Sequence, residues 1–154
     1  MSDKDPAYVE MITQACEVFE QRIPFNKVLG LVLEDVNTKE ARIRFDMRDE
    51  LIGNFVRRSL HGGVISAALD TVGGLVAFIS LLDRMESAER GIELLANVGT
   101  IDLRVDYLRS GMGQSFVASG EALRAGNKVA VTRMELHNDE GVRIAVGTGT
   151  YLIG

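Results

Sequence analysis

From residue 61 to 82 the chain reads HGGVISAALDTVGGLVAFISLL, apolar on nearly every side of the helix it would form, with one acid, Asp70, inside the run. A helix with no polar stripe predicts the centre of a fold rather than its surface. Nearer the N-terminus the pattern is one-sided. After an Asp5-Pro6 start, Val9, Ile12, Cys16, Phe19 and Ile23 recur at helical spacing, and Pro24 ends the stripe. Cys16 falls on that stripe and reads as a packing residue.

Residues 28–36 read as a strand and 40–48 as its antiparallel partner, because Ala41, Ile43, Phe45 and Met47 alternate with Arg42, Arg44, Asp46 and Arg48. The turn VNTKE joins them, and a loop around 49–59 leads to the central helix. That helix starts near His61 and reaches about Leu82, with an exposed extension expected to stop at Gly91. Four more strands follow, at 98–108, 115–125, 128–138 and 142–153. In the first, Ile101, Leu103, Val105 and Tyr107 occupy one face and Thr100, Asp102, Arg104 and Asp106 the other. The short turns AGN and DEG make the later strands antiparallel hairpins. The order of helix, two strands, long apolar helix and four strands predicts one α+β domain whose sheet wraps the helix. Residues 1–24 add an N-terminal helix to a body at 25–154.

Composition removes several alternatives. The central helix is about long enough to span a bilayer, but Asp70 at its middle costs roughly 2.5–3.5 kcal/mol there, and the strand-rich remainder argues against a membrane span. A net charge of −5 disfavours nucleic acid as partner. The one cysteine excludes an internal disulfide framework, and the opening MSDKDPAYVE lacks a signal-peptide pattern; both fit a cytoplasmic protein. No metal-ligand cluster, dinucleotide fingerprint or Gly-x-Ser-x-Gly elbow is present, and His137 reads as a surface residue.

The chemistry therefore centres on Asp70. A carboxylate among Ala67, Leu69, Val72 and Gly73 is costly unless paired, hydrogen-bonded or used. It is a structural acid with a buried partner, an acid on a wet face, or a catalytic group acting as general base or nucleophile. Gly62 and Gly63 stand where the helix begins. First-turn amides have no intrahelical acceptor, so a substrate carbonyl can approach them as in an oxyanion hole; the plain alternative is a tight turn that needs glycine. His61 caps and orients this turn.

The segments SLHGGVISAALDTVGG and GTIDLRVDYLRSG together resemble the hotdog-fold acyl-CoA thioesterases of the phenylacetate-degradation (PaaI-like) branch, over roughly residues 25–154. The most specific feature is His-Gly-Gly with an acid nine residues after the histidine. The resemblance implies an antiparallel sheet wrapped around a long central helix, and hydrolysis of acyl-CoA to a carboxylic acid and coenzyme A. It implies no metal or redox cofactor, since coenzyme A is part of the substrate.

Nine residues of helix rise about 13.5 Å and turn near 900°, so Asp70 cannot serve a carbonyl held by its own chain's Gly62. If both groups act on one substrate, a second subunit must supply the glycine turn, which predicts an obligate homodimer; relatives also pair dimers into tetramers. The resemblance further assigns Asn54 to positioning the thioester or water, although it lies seven residues before His61 where relatives have six, so a bulge is expected. It assigns Thr100 to orienting the attacking water and Arg109 to the coenzyme A phosphates, with Arg124 and Lys128 either adding to that patch or forming a solvated hairpin tip. Gly73, Gly74 and Phe78 are expected to shape an acyl channel along the helix. The rival is a non-catalytic acyl-CoA-binding or carrier-protein-docking module. A dehydratase ranks lower, lacking an Asp-x-x-x-x-His arrangement. The acyl preference stays open.

Overall fold

The computed structural model describes residues 6–82 and 95–154. Helix α1 (Pro6–Glu17) runs into a π-helical turn (Val18–Arg22), then α2 (Pro24–Leu29). Strands β1 (Val32–Val36) and β2 (Glu40–Asp46) form a hairpin whose turn is held by Asn37 Oδ1, which accepts from the Lys39 and Glu40 amides at 3.0 and 3.1 Å. A 3₁₀ turn (Asp49–Leu51) leads to the short pair β3 (Ile52–Asn54) and β4 (Ser59–Leu60). Then come the central α3 (Gly62–Leu82) and β5 (Gly99–Tyr107), β6 (Ser115–Ala125), β7 (Val129–Asn138) and β8 (Arg143–Leu152). The expected helical extension to Gly91 lies outside the described residues.

The main sheet has the order β1-β2-β6-β7-β8-β5, antiparallel throughout. It wraps α3, whose Ala68, Leu69, Val72, Leu75, Val76 and Ala77 are all fully buried or within 1% of it. This is the hotdog arrangement. Two sheet glycines face it closely: a Cβ at Gly120 would stand 3.4 Å from the Val72 carbonyl, and one at Gly147 3.4 Å from Leu69 Cδ1. Phe45 and Phe116, cross-strand partners on β2 and β6, stack at 5.3 Å and close one end of the core. Although α3 is long and apolar enough to cross a membrane, most of its side chains are buried inside this fold.

Two sequence expectations change. Residues 28 and 29 are helical, because Pro24 opens a new helix at its first turn rather than only ending the previous one. Gly30, at φ +68°, caps α2 by donating to Lys27 O at 3.1 Å, and the strand begins only at Val32. In α1 the innermost row is Tyr8, Met11 and Ala15, while Val9 is half exposed. The helix carries two adjacent apolar rows, and periodicity alone does not say which packs deeper. Cys16 is half-buried beside that row; burial, then the charge of Glu20, pushes its thiol up and makes it a poor nucleophile.

Candidate active site

Asp70 is half-buried on the face of α3 that also carries Thr71 and Gly74. Its Oδ1 accepts from Thr100 Oγ1 at 2.9 Å and lies 3.2 Å from the Tyr151 hydroxyl. Its Oδ2 makes no hydrogen bond among the described residues, and no ion pair to Asp70 is found among them. The acid is therefore tethered through one oxygen and open through the other.

Thr100 reaches the helix because β5 is irregular. Against β8, Thr100 pairs with Tyr151 but Asp102 pairs with Thr150, so Ile101 is an extra, bulged residue. Strict alternation would place Ile101 with Leu103 and Val105 on the inner face and Thr100 on the outer. The bulge reverses this: Ile101 is 58% exposed, and the Thr100 hydroxyl meets Asp70.

In front of Asp70 opens an apolar cavity of about 600 Å³ between α3, the N-terminal segment and residues 95–98. Val18, Phe19, Ile23 and Phe25 form its far wall, with Arg22 and Asn26 as polar members. The π-helical turn brings Val18 and Phe19 to this wall. Asn26, itself buried, holds the segment in place by donating to the Phe19 carbonyl at 2.9 Å, while Glu20 Oε1 accepts from the Leu33 amide at 2.6 Å.

Of the residues expected to shape an acyl channel, Gly74 lines this cavity. Gly73 and Phe78 do not. Phe78 is in the core, and Gly73 faces Tyr151, since 73 lies on the sheet side of α3.

The second half of the constellation sits at the other end of α3. His61 donates its amide to Leu51 O at 2.8 Å, and its Nδ1 accepts from the Gly63 amide at 2.8 Å, which puts the proton of the neutral ring on Nε2. Gly63 N–H is therefore engaged in the turn. Gly62 N–H has no hydrogen-bond acceptor among the described residues. Tyr107 holds the other side of the same residue by donating its hydroxyl to Gly62 O at 3.0 Å.

An open cavity of about 410 Å³ is lined there by Gly62, Tyr107 and Arg109. Arg109 is exposed and donates to Arg143 O at 3.1 Å. Asn54 is also exposed, and its Oδ1 accepts from the Val56 and Arg57 amides at 3.1 and 3.0 Å, which shapes the β3–β4 turn. The extra residue before His61 is absorbed as a bulge at Gly53: Ile52 pairs with Leu60 and Asn54 with Ser59. A Cβ at Gly53 would lie 2.6 Å from His61 Cα, so the strand approaches the turn too closely for any other residue.

Arg124 and Lys128 do not join Arg109 in one patch of this chain. Arg109 N–H bonds to Ile144 O and Lys128 O to Ile153 N–H, and nine residues of β8 separate these anchors by about 30 Å. Both basic residues stand at the end of the sheet nearer Thr100.

Two contributors escaped the sequence reading. Phe19 reads from its spacing as a packing residue of an amphipathic helix, and it does join the core, but it also walls the cavity. Tyr151 carried no signal beyond lying on an alternating strand; the small residues around it, Gly147 and Gly149, were the available hint of a bulky neighbour.

The family model of the thioesterase superfamily matches residues 58–145. This chain belongs to the thioesterase superfamily. The medium/long-chain acyl-CoA thioesterase YigI of Escherichia coli K12 is 48% identical over 140 residues, 90% of each protein. A solved protein of Shewanella oneidensis, described as related to the thioesterase superfamily, has a TM-score of 0.93 at 45% identity, covering 98% of this chain and 100% of that one. PaaI of Escherichia coli, from the phenylacetic acid degradation operon, shares the fold at a TM-score of 0.74, 16% identity and 94% coverage of both chains. The thioesterase-superfamily match contains the glycine turn, Asp70, Thr100 and Arg109 but ends at Ala145. Tyr151 and the N-terminal wall of the cavity lie outside it.

Proposed function

We propose that this protein is an acyl-CoA thioesterase that hydrolyses medium- to long-chain acyl-CoA to the free acid and coenzyme A. The observation that carries the reading is Asp70 on the wall of an apolar cavity, its Oδ1 held by two hydroxyls and its Oδ2 without a hydrogen bond among the described residues. A cavity walled by Phe19, Ile23 and Gly74 suits an alkyl chain whose thioester carbon rests at the acid. The 48%-identical YigI, named for medium- and long-chain substrates, supports the same choice.

In this mechanism the carbonyl oxygen accepts from Gly62 N–H, an orphan donor at a helix N-terminus. Asp70 takes a proton from water as the water attacks the carbonyl carbon. Alternatively it attacks directly, forming an anhydride that water then opens. In both routes the C–S bond breaks, the electron pair leaves with sulfur, and the coenzyme A thiolate takes up a proton. Gly62 and Asp70 of one chain are separated by about 12 Å of helix rise, so the donor comes from a partner subunit. Arg109 would arrive with that subunit's Gly62, near the coenzyme A phosphates. Strand β5, one of the two edges of the sheet, with Ile101 and Tyr107 more than half exposed, offers a surface for pairing.

Thiol release from a panel of short, medium, long and aromatic acyl-CoA esters tests the activity, and Asp70→Asn is expected to lower kcat about 100-fold or more. Full turnover in that variant removes Asp70 from the chemistry; tight binding without turnover in the wild type favours the non-catalytic module. Complementation tests the shared site. Gly62→Pro deletes the amide hydrogen at a position where helices accept proline. It should be inactive alone and regain activity when exchanged with Asp70→Asn subunits, because one site of the mixed dimer then has both groups. No recovery in verified mixed dimers refutes the sharing.

A further inference from the structure

Tyr151 and Thr100 are paired across β8 and β5, and both hydroxyls converge on one carboxylate oxygen of a helix. The Tyr151 side chain is buried, with its hydroxyl 3.2 Å from both Asp70 Oδ1 and the Asp70 carbonyl. A cradle holds the ring. A Cβ at Gly73 would fall 2.3 Å from the phenol oxygen, and one at Gly149 2.6 Å from the same atom. Glycines on two different elements thus leave room for a hydroxyl at this spot. Packing alone would be met by phenylalanine, without a buried polar atom to satisfy.

We propose that Tyr151 is a positioning residue for the thioester reaction, which with Thr100 anchors Asp70 Oδ1 as a carboxylate and leaves Oδ2 as the working oxygen. This rests on the assignment of Asp70 as the reacting acid. Burial, and then the charge of Asp70, push the phenol far above the ordinary tyrosine range, so it keeps its proton and donates. The other described groups around Asp70 are few. No other residue of α3 is charged, Thr100 on β5 and Thr132 on β7 do not titrate, and Arg22 stands on the cavity wall contributed by the N-terminal segment.

The test is Tyr151→Phe beside Asp70→Asn and the double variant, assayed over a pH range. One hydrogen bond to a charged group corresponds to a fall in kcat of about 10- to 100-fold, with KM little changed. A carboxylate that loses a donor takes up a proton more easily, so the acid limb of the rate profile should move to higher pH. A packing role would leave that limb in place. In the Asp70→Asn background the second substitution should add little. If Tyr151→Phe does not fold, 3-fluorotyrosine at position 151 replaces it as an isosteric, stronger donor, and the acid limb should move to lower pH. Wild-type kcat and an unmoved limb, with Asp70→Asn inactive, overturn the role of Tyr151 alone. A fully active Asp70→Asn overturns the assignment beneath it.

Discussion

Gly73 and Gly74 are neighbours on α3, yet a methyl group added to each should change stability in opposite directions. Both positions are helical, so alanine gains about 0.8–1.0 kcal/mol of helix propensity over glycine at either. At Gly74 the new Cβ meets Tyr151 Cε1 and Cδ1 at 3.6 and 3.8 Å, ordinary contact, and the propensity gain stands. At a size of 154 residues this raises Tm by roughly 2–4 °C.

At Gly73 the Cβ falls 2.3 Å from the Tyr151 phenol oxygen, 2.9 Å from its Cζ and 3.0 Å from Met134 Sδ. The ring is buried and an approach this short forces it or the helix to shift, so overpacking costs about 1–3 kcal/mol. Pushing the hydroxyl off Asp70 loses a bond to a charged group, about 1.5–3 kcal/mol. Even at the low end of each, the balance is a net loss of about 1.5 kcal/mol, a fall of roughly 3–6 °C. Thermal melts at one fixed protein concentration measure both, since self-association shifts Tm. Equal Tm changes in the two variants, or a Gly73→Ala protein stabilised as much as Gly74→Ala, would refute the close fit of Tyr151 against the helix.

Two further outcomes follow from the backbone and from Tyr151. Gly30→Ala places a side chain at φ +68° with the nearest atoms of Arg48 at 3.7 Å, so the cost is conformational: about 1 kcal/mol, read as a Tm lower by roughly 2–4 °C; an unchanged Tm would show that α2 does not end there. Because Tyr151 ionises less readily folded than unfolded, its contribution is complete below the ordinary tyrosine value near 10 and is lost as pH rises above it. Unfolding free energies from denaturant titrations above about pH 10 should therefore fall less steeply with pH in Tyr151→Phe than in wild type, by up to about 1.4 kcal/mol per pH unit. Parallel curves would count against a buried, protonated Tyr151.

Patterns along the chain were enough for most elements and for the first member of the site. Alternation located β2 and β5, short turns located the hairpins of β6 to β8, and apolarity on all sides marked α3 as the central helix. A lone acid in that helix, nine residues after His61, was conspicuous because a carboxylate among apolar neighbours needs a reason. These are local signals, written within a few turns of helix or one strand.

The misreadings share a cause. A one-residue bulge at Ile101 turns Thr100 in its place toward the helix, while Leu103 and Val105 keep the inner face, and hydrophobicity does not announce it. A left-handed Gly30 turns the expected start of a strand into a helix cap. The choice between two apolar rows of α1 is made by the surface each meets.

Sequence by itself thus determined the helix, the strands and the isolated acid. Only the tertiary structure decided what surrounds that acid: Thr100 arrives from thirty residues away and Tyr151 from eighty-one, through glycine-lined close approaches. The physical reason is range. Helix and strand periodicity depend on neighbours along the chain, whereas a hydrogen bond onto one carboxylate oxygen depends on strand register and on bulges that pattern does not encode.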